Sequence, residues 1–209
     1  APEKRMRLNL GIRRRLSPLM EGNTKKIELL YALLFALPGA PIVYYGDEIG
    51  MGDNIWLNDR DGVRTPMQWS DDSNAGFSKG DSSMLYIPII DSDPYSYHQI
   101  NVERQKKESR SLLNHLRNLI MVRKNHPVFS SQDYVFFNES NRSVFSIIRS
   151  NDIETILCLH NLSNVTQSIP LGKKKYQYLH SSSYLADKQT TFEDDVTLEP
   201  YSYLWMVEI

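Results

Sequence analysis

The sequence predicts an α/β segment followed by an all-β domain, an antiparallel β-sandwich. Three observations support this prediction. A helical pattern leads through Pro and Gly into a strand whose apolar residues are consecutive, as in a parallel sheet buried on both faces. A long polar stretch with isolated aromatic residues follows. The last part of the chain consists of short β-rich runs separated by Asn, Ser, Gly and Asp.

Composition narrows the class of protein before any motif is considered. The 209 residues include 24 Lys and Arg against 25 Asp and Glu, for a net charge of -1. Such a balance gives no basic surface, so we expect neither nucleic acid nor a membrane as a partner. The longest uninterrupted apolar run, residues 29–37, is too short to span a bilayer. The single cysteine, Cys158, favours a reducing compartment, and we expect a cytoplasmic protein.

The first half of the chain is predicted from its helix and strand signals. Thr24 is a capping residue type, and residues 25–37 predict a helix that a Pro-Gly pair ends. Residues 41–45, Pro-Ile-Val-Tyr-Tyr, predict a buried strand. Residues 47–97 show no regular pattern. We expect them to form an ordered functional loop, because disordered segments are poor in the aromatic residues found here.

The second half begins with a helix and continues as β-structure. Residues 101–125 predict one long helix with leucines at helical spacing, and Pro127 ends it. We therefore place the domain boundary there, with residues 1–127 in the α/β segment and residues 128–209 in the β-sandwich domain. The strands of that domain are predicted at residues 133–138, 143–149, 155–160, 176–180 and 203–207.

Two runs carry a family resemblance: Gly-Ala-Pro-Ile-Val-Tyr-Tyr-Gly-Asp-Glu-Ile-Gly at 39–50 and Asp-Arg-Asp-Gly-Val-Arg-Thr-Pro-Met-Gln-Trp at 59–69. They resemble the α-amylase superfamily, glycoside hydrolase family 13, and within it the enzymes that interconvert maltose and trehalose. Shorter runs at 10–16, 52–55, 74–77 and 101–103 agree. The resemblance implies that residues 1–127 are the C-terminal remnant of a (β/α)8 TIM barrel, with residues 41–45 as its eighth strand.

The resemblance also implies a retaining glucosyl transfer, in which an Asp nucleophile and a Glu acid stand about 5 to 5.5 Å apart. The sequence contains neither the Gly-Phe-Arg-x-Asp run of the nucleophile nor the Asn-His-Asp run of the third carboxylate. We therefore assign no catalytic residue to this chain and expect it to be inactive alone. Because it also begins without Met and shows no signal-peptide core, we expect a fragment or a processed product.

The resemblance implies that this chain contributes one wall of the substrate site. Arg64 is the arginine that reaches the non-reducing glucose, where a planar guanidinium makes forked hydrogen bonds at any working pH. Asp61 is the residue that orients it. The alternative is that Arg64 only braces the loop by pairing with Asp61 or Asp59, and the sequence leaves both interpretations open.

Four further residues are candidates for shaping the site. Asp47 and Glu48 follow the predicted strand at its carboxyl end, where barrel sites lie, although both can instead accept hydrogen bonds from nearby amides. Trp56 and Trp69 have ring faces suited to a sugar, although tryptophan is more often a core or loop anchor.

No cofactor and no metal site are predicted. Asp53 and Asn54 carry oxygen atoms of the kind that calcium accepts, but two ligands do not make a site, so calcium is considered only for the parent enzyme. The expected partners are maltose or trehalose in the intact enzyme and the rest of the catalytic barrel. We also expect the isolated chain to self-associate, because the strand at 41–45 would have an open edge.

Two other functions stay open. An α-glucosidase or oligo-1,6-glucosidase shares the Arg-Thr-Pro-Met-Gln-Trp run and differs in letting water attack the intermediate. A non-catalytic carbohydrate-binding or interaction module would instead display coplanar aromatic residues on the β-domain. The sequence offers Tyr134, Phe136, Tyr176, Tyr178, Tyr184 and Tyr201 for that role.

Overall fold

The computed structural model describes residues 13–137, 140–182 and 191–209. The described residues divide into two compact units, one within the ranges 1–24 and 43–114 and the other within the ranges 25–42 and 115–209. We call them the loop unit and the sheet unit. The domain boundary at 127 and 128 stays a prediction. Residues 10–12 of the shorter run at 10–16, Asn138 of the first predicted strand and Tyr184 lie outside the described residues.

Four α-helices are present in the described part of the chain. They are α1 (Leu16–Leu19), α2 (Thr24–Ala36), α3 (Val102–Lys107) and α4 (Leu112–Asn125). The helix predicted at 25–37 is confirmed as α2. Within the described ranges, no helix is long and apolar enough to cross a membrane.

The single long helix predicted at 101–125 is wrong, because the segment forms two helices, each started by its own capping residue. The side chain of Asn101 accepts a hydrogen bond from the Arg104 amide at 2.8 Å and starts α3. The Ser111 hydroxyl accepts one from the Asn114 amide at 3.2 Å and starts α4. Such side chains offer the backbone amides an alternative to the helical carbonyls, so the helix is interrupted between Glu108 and Ser111.

The buried strand predicted at 41–45 is also wrong. Residues 41–45 form no strand, and Ile42 is 86% exposed, with Tyr44 and Tyr45 also exposed. A parallel strand needs neighbours for its backbone groups, and the only sheet among the described residues is antiparallel. Consecutive apolar residues indicate burial, but they do not supply the partner strands.

The loop unit has little regular structure. Apart from α1, α3 and the start of α4, it contains short 3-10 turns at Asp47–Ile49, Asp61–Val63, Ser73–Gly76 and Ser82–Met84. Its small core consists of Ile49, Met51, Met67 and Val102, with Ile100 and Leu113 packed against it. The stretch predicted as an ordered loop at 47–97 therefore has a defined conformation without helices or strands of ordinary length.

The sheet unit contains one six-stranded antiparallel sheet in the order β1-β2-β3-β6-β4-β5. The strands are β1 (Tyr134–Phe136), β2 (Val144–Ser150), β3 (Thr155–Asn161), β4 (Gln167–Ser181), β5 (Thr191–Leu198) and β6 (Tyr203–Glu208). The predicted antiparallel β-domain is confirmed. The described strands form one continuous sheet and not the two packed sheets expected of a sandwich, because the long β4 pairs with β6 on one edge and with β5 on the other.

Two parts of this sheet have a weak sequence signal. The first half of β4 contains Pro170 and Gly172, and its pairing with β5 is irregular there. β5 reads Thr-Phe-Glu-Asp-Asp-Val-Thr-Leu, and Asp194 has a φ of 62°, so alternation is broken at mid-strand. Irregular pairing lets polar residues occupy a strand whose apolar residues still reach the core.

The two faces of the sheet are packed differently. On one face, Leu157, Leu159, Leu204 and Met206 belong to an apolar cluster shared with residues of β2, β4 and β5. The opposite face carries Arg149, whose guanidinium donates to the Ala36 carbonyl at the end of α2 at 2.7 Å. This contact satisfies one of the carbonyls that a helix C-terminus leaves unpaired, and it places a positive charge at the negative end of the helix dipole.

Candidate functional site

The loop unit contains a cavity of about 460 Å³, a size typical of small-molecule sites. Its lining comes from both motif runs and from the segment after them. The lining residues are Tyr45, Glu48, Arg64, Pro66, Met67, Trp69, Phe77, Leu85, Tyr86 and Ile87. Three of the predicted site residues, Glu48, Arg64 and Trp69, are thus brought together at one cavity.

Arg64 stands at the end of a tight turn on the cavity wall. The turn is Asp61–Val63, and the Arg64 amide donates to the Asp61 carbonyl at 3.0 Å. The Arg64 Nη1 atom lies 3.7 Å from Asp61 Oδ1, an ion-pair distance longer than a hydrogen bond. The guanidinium is about half exposed, so Asp61 holds it only loosely and the cavity remains open to it.

The position of this turn depends on a glycine. A Cβ atom on Gly62 would lie 2.2 Å from the Asn54 carbonyl oxygen, and the Gly62 carbonyl accepts a hydrogen bond from the Asn54 amide at 2.9 Å. No side chain fits at that distance from a backbone atom. The two motif segments, 52–55 and 59–69, therefore pack backbone against backbone.

A buried arginine that the sequence analysis did not single out joins these segments. Arg15 Nη1 donates to the Tyr45 carbonyl at 2.6 Å and to Asp47 Oδ1 at 3.2 Å, and Nη2 donates to the Val63 carbonyl at 2.8 Å. Its guanidinium lies over the rings of Tyr44 and Tyr45 at 5.1 and 4.9 Å. Because Val63 directly precedes Arg64, the hydrogen bond from Arg15 helps to fix the backbone position of Arg64. The three consecutive arginines at 13–15 are the only sequence signal for this role.

The two acidic residues after Gly46 differ in their surroundings. Burial raises the pKa of Asp47 above its ordinary value, and the Arg15 guanidinium opposes that shift. Burial also raises the pKa of Glu48. Within the described residues, Glu48 Oε2 is buried and has no hydrogen-bond partner. Asp47 is therefore part of the Arg15 anchor, whereas Glu48 presents a polar group to the cavity.

Tyr45 links the cavity to the second motif run. Its hydroxyl donates to the Thr65 carbonyl at 2.9 Å, and burial raises the pKa of the phenol. The ring therefore lines the cavity in the neutral form, with its polar end already used by the protein.

The two predicted tryptophans occupy different places. Trp69 lines the cavity, and its amide donates to the Ala75 carbonyl at 2.8 Å. Trp56 is 77% exposed and is not among the lining residues. The sequence made both tryptophans candidates for stacking on a sugar. Of the two, only Trp69 lies at this cavity.

The possible calcium ligands are used by the protein. Asp53 Oδ2 accepts from Arg14 Nε at 2.9 Å and from the Arg15 amide at 2.8 Å. Asn54 Oδ1 accepts from the Trp56 amide at 3.1 Å. Among the described residues, no group of three metal-ligating side chains occurs.

Two exposed aromatic residues of the sheet unit lie next to each other, but their rings are not coplanar. The rings of Tyr134 and Phe136 on β1 are 5.5 Å apart and inclined at 71°. Tyr176, another residue offered for this role, is fully buried. The coplanar display that would mark a carbohydrate-binding module is therefore missing at these three positions.

Comparisons with known proteins agree with these observations. The sequence profile described as "Alpha amylase, catalytic domain" matches residues 12–132, and "Alpha-amylase SusG C-terminal domain" matches residues 144–203. The chain is 48% identical to the trehalose synthase/amylase of Mycobacterium tuberculosis over 84% of its own length and 30% of the relative. It is 43% identical to that of Mycolicibacterium smegmatis over 98% of its length and 35% of the relative.

A solved structure confirms the fold. The trehalulose synthase of Pseudomonas mesoacidophila matches 94% of this chain and 41% of its own with a TM-score of 0.76, at 24% identity. The chain spans about a third of the two curated relatives, as the shares of 30% and 35% state. The match to the catalytic domain of the family, the solved structure and the antiparallel sheet together support a barrel remnant followed by a β-domain.

Proposed function

The chain belongs to the α-amylase family, and from this premise we propose that the full-length protein to which it contributes interconverts maltose and trehalose. The observation that carries the proposal is the cavity at which Arg64, Glu48 and Trp69 meet, built from the two runs that resemble the trehalose-forming branch of the family. Identity of 43% and 48% to trehalose synthases supports it.

The proposed reaction is a retaining transfer in two steps. A carboxylate attacks C1 of the non-reducing glucose, the bond from C1 to the glycosidic oxygen breaks, and a carboxylic acid gives that oxygen its proton. The released glucose then attacks the same C1 with its anomeric hydroxyl and returns a proton to the acid. The carboxylate leaves and trehalose is formed. If water attacks instead, the products are two glucose molecules.

In this scheme Arg64 binds the glucose whose C1 reacts. A guanidinium directs parallel N–H groups at neighbouring oxygen atoms, and its charge does not vary over the working pH range. The 3.7 Å separation from Asp61 leaves the carboxylate able to orient the guanidinium without a hydrogen bond that competes with the sugar. Glu48 and Trp69 would complete this side of the site.

The experiment is proton NMR of maltose incubated with the full-length protein. Trehalose as the main product supports the proposal. Glucose alone would replace it with the α-glucosidase alternative. The 209-residue chain by itself should turn over neither sugar, because the family's nucleophile and third-carboxylate runs are absent from its sequence. Trehalose formed by the isolated chain above a protein-free control would overturn that assignment.

Self-association of the isolated chain is also part of the proposal. Its original reason, an open strand at 41–45, no longer applies, but large apolar side chains are exposed in both units, among them Ile42, Met84 and Tyr86. Such surfaces favour association in water. Light scattering at micromolar concentration should give a mass above 24.2 kDa, and a monomer at every concentration would contradict this. The cytoplasmic location stays a proposal that cell fractionation can test.

A further inference from the structure

The apolar side of the cavity includes three aromatic rings that water reaches. Trp69 and Phe77 are about half exposed and Tyr86 is 92% exposed, and all three belong to the lining. These rings line the same cavity as Arg64 and Glu48, and small-molecule sites combine aromatic walls with a few polar groups in this way. The C–H groups on a glucose face carry slight positive charge, which an aromatic ring face attracts.

A strained turn holds two of these rings in place. Asn74, Ala75 and Gly76 are consecutive left-handed residues, with φ values of 55°, 58° and 68°. The Ala75 carbonyl accepts from the Trp69 and Ser70 amides at 2.8 and 3.1 Å. Left-handed conformations are unfavourable for residues with a Cβ and tend to occur at functional sites.

Side-chain hydrogen bonds keep this turn closed. The buried Asn74 side chain donates from Nδ2 to the Ser78 carbonyl at 3.1 Å and to the Gly80 carbonyl at 2.8 Å. Farther along, Asp81 Oδ1 accepts from the Ser83 amide at 2.8 Å and starts the turn that precedes Tyr86. The rings are therefore presented by a loop whose conformation is fixed before any ligand arrives.

The reaction places an unusual demand on the cavity. The glucose released from maltose must turn, so that its anomeric hydroxyl replaces its 4-hydroxyl at the reacting carbon, and it must not leave during that movement. Directional hydrogen bonds would hold it in one orientation. A stacking surface attracts a sugar ring without fixing its rotation, because apolar contact is not directional.

We propose that Phe77 and Tyr86 hold the released glucose while it turns, and that Tyr86 sets the ratio of trehalose to free glucose. This inference rests on the proposed function. The occupant is a glucose unit, and Arg64 and Glu48 supply the polar part of the same lining for the unit that stays bound. Phe77 and Tyr86 position substrate and take no part in proton transfer.

The test uses the full-length protein with the single substitutions Tyr86→Ala, Phe77→Ala and Tyr86→Phe. Proton NMR of a maltose reaction gives the ratio of free glucose to trehalose. Tyr86→Ala and Phe77→Ala should raise it about fivefold, the size of one favourable aromatic contact. Tyr86→Phe keeps the ring and should stay within about twofold of the parent, since the hydroxyl has no role in stacking. Tyr134→Ala, an exposed tyrosine outside the lining, is the matched control.

The ratio compares two fates of one intermediate, so a smaller fraction of folded enzyme does not change it. In a second measurement, labelled glucose in solution should enter trehalose more often with Tyr86→Ala than with the parent. A parent that makes trehalose while both alanine variants keep its ratio and labelling would overturn the inference and leave the proposed function standing. A parent that makes only glucose would overturn the proposed function itself.

Discussion

The loop unit and the sheet unit hold their conformations by different means. In the sheet unit, antiparallel pairing from β1 to β5 and an apolar cluster drawn from five strands provide many small, mutually supporting contacts. In the loop unit, a few buried polar side chains bind backbone groups of distant segments. Gln68, for example, donates to the Ile100 carbonyl at 2.6 Å and to the Tyr95 carbonyl at 3.2 Å. The loop unit should therefore be sensitive to single polar substitutions.

The largest effect is expected from Arg15→Met. The side chain is buried, and its loss would remove the charged donor of Asp47 and leave two carbonyls without their Arg15 donor. Breaking such a buried charged contact costs about 3–5 kcal/mol. Hydrogen exchange followed by mass spectrometry should show faster exchange across residues 43–114 and little change in the sheet.

Arg14→Met is the matched control for that substitution. Arg14 is adjacent and partly exposed, and its buried partner Asp53 keeps the Arg15 amide as a donor at 2.8 Å, so its loss should cost less than the loss of Arg15. Equal exchange in the two variants would mean that Arg15 is not the anchor of the loop unit.

The sheet unit should instead be sensitive to acid through two buried histidines. Burial lowers the pKa of His160 to about 4 and that of His115 to about 3. Trp205 Nε1 donates to His160 Nε2 at 3.2 Å, and His160 Nδ1 faces the Phe145 carbonyl at 3.2 Å. These partners assign the proton to Nδ1. Burial disfavours a second proton and lowers the pKa, and backbone hydrogen bonds with Phe145 and Ala32 oppose that shift only in part.

Proton binding decides whether acid stabilises or destabilises the sheet unit. The unfolded imidazoles have a pKa near 6.5, above the folded values, so the unfolded chain binds more protons as the pH falls. Stability contributed by the neutral forms is present above pH 6.5 and is lost toward pH 4, by about 1.4 kcal/mol per pH unit for each histidine. Urea unfolding at a series of pH values, followed by far-ultraviolet circular dichroism, measures this stability.

His160→Gln should flatten this dependence on pH, because one titrating group is removed. Cys158→Ala is the control, since it empties a buried position and should lower stability equally at every pH. A pH slope that His160→Gln leaves unchanged would contradict the prediction.

Arg64→Lys in the full-length protein tests the cavity itself. An ammonium cannot reproduce the forked contact of a guanidinium, and losing a hydrogen bond to a charged group costs about 1.5–3 kcal/mol. We expect kcat/KM for maltose to fall about 10- to 150-fold. Arg60→Lys in the same run, exposed and outside the lining, should stay within about twofold. Activity of Arg64→Lys within twofold of the parent would leave Arg64 as a loop brace.

Sequence patterns predicted the regular elements and part of the cavity lining, whereas the buried anchor of the loop unit is visible only in the structure. The motif runs pointed to Arg64 and Trp69, and helix α2 and most strands follow from local patterns. The role of Arg15 did not follow from pattern, because its acceptors lie 30 to 48 positions away in the chain. β5 was missed because its polar residues and the left-handed Asp194 interrupt the alternation that identifies a strand. Local sequence specifies elements, whereas the anchors of a loop-rich unit depend on tertiary contacts.

The smallest expected effect, from Gly76→Ala, tests whether the loop unit also depends on local backbone strain. Gly76 has a φ of 68°, and an added Cβ would lie 2.3 Å from Ser70 Oγ. A left-handed residue with a Cβ costs about 1–2 kcal/mol, and the Ser70 side chain would have to move as well. The double substitution with Ser70→Ala removes the contact with Oγ, while the Ser70 amide nitrogen and Cβ would still lie 3.2 and 3.3 Å from the added Cβ.

Gly80→Ala provides the comparison within the same loop. Gly80 shows no left-handed φ, and an added Cβ would meet Ser78 Oγ at 3.4 Å, an ordinary contact. That variant should match the parent or gain a few tenths of a kcal/mol from reduced freedom of the unfolded chain. Exchange at residues 69–77 should quicken in Gly76→Ala and remain unchanged in Gly80→Ala. Similar exchange in both would show that the left-handed turn does not hold Trp69 and Phe77, because only one of the two glycines is in that conformation.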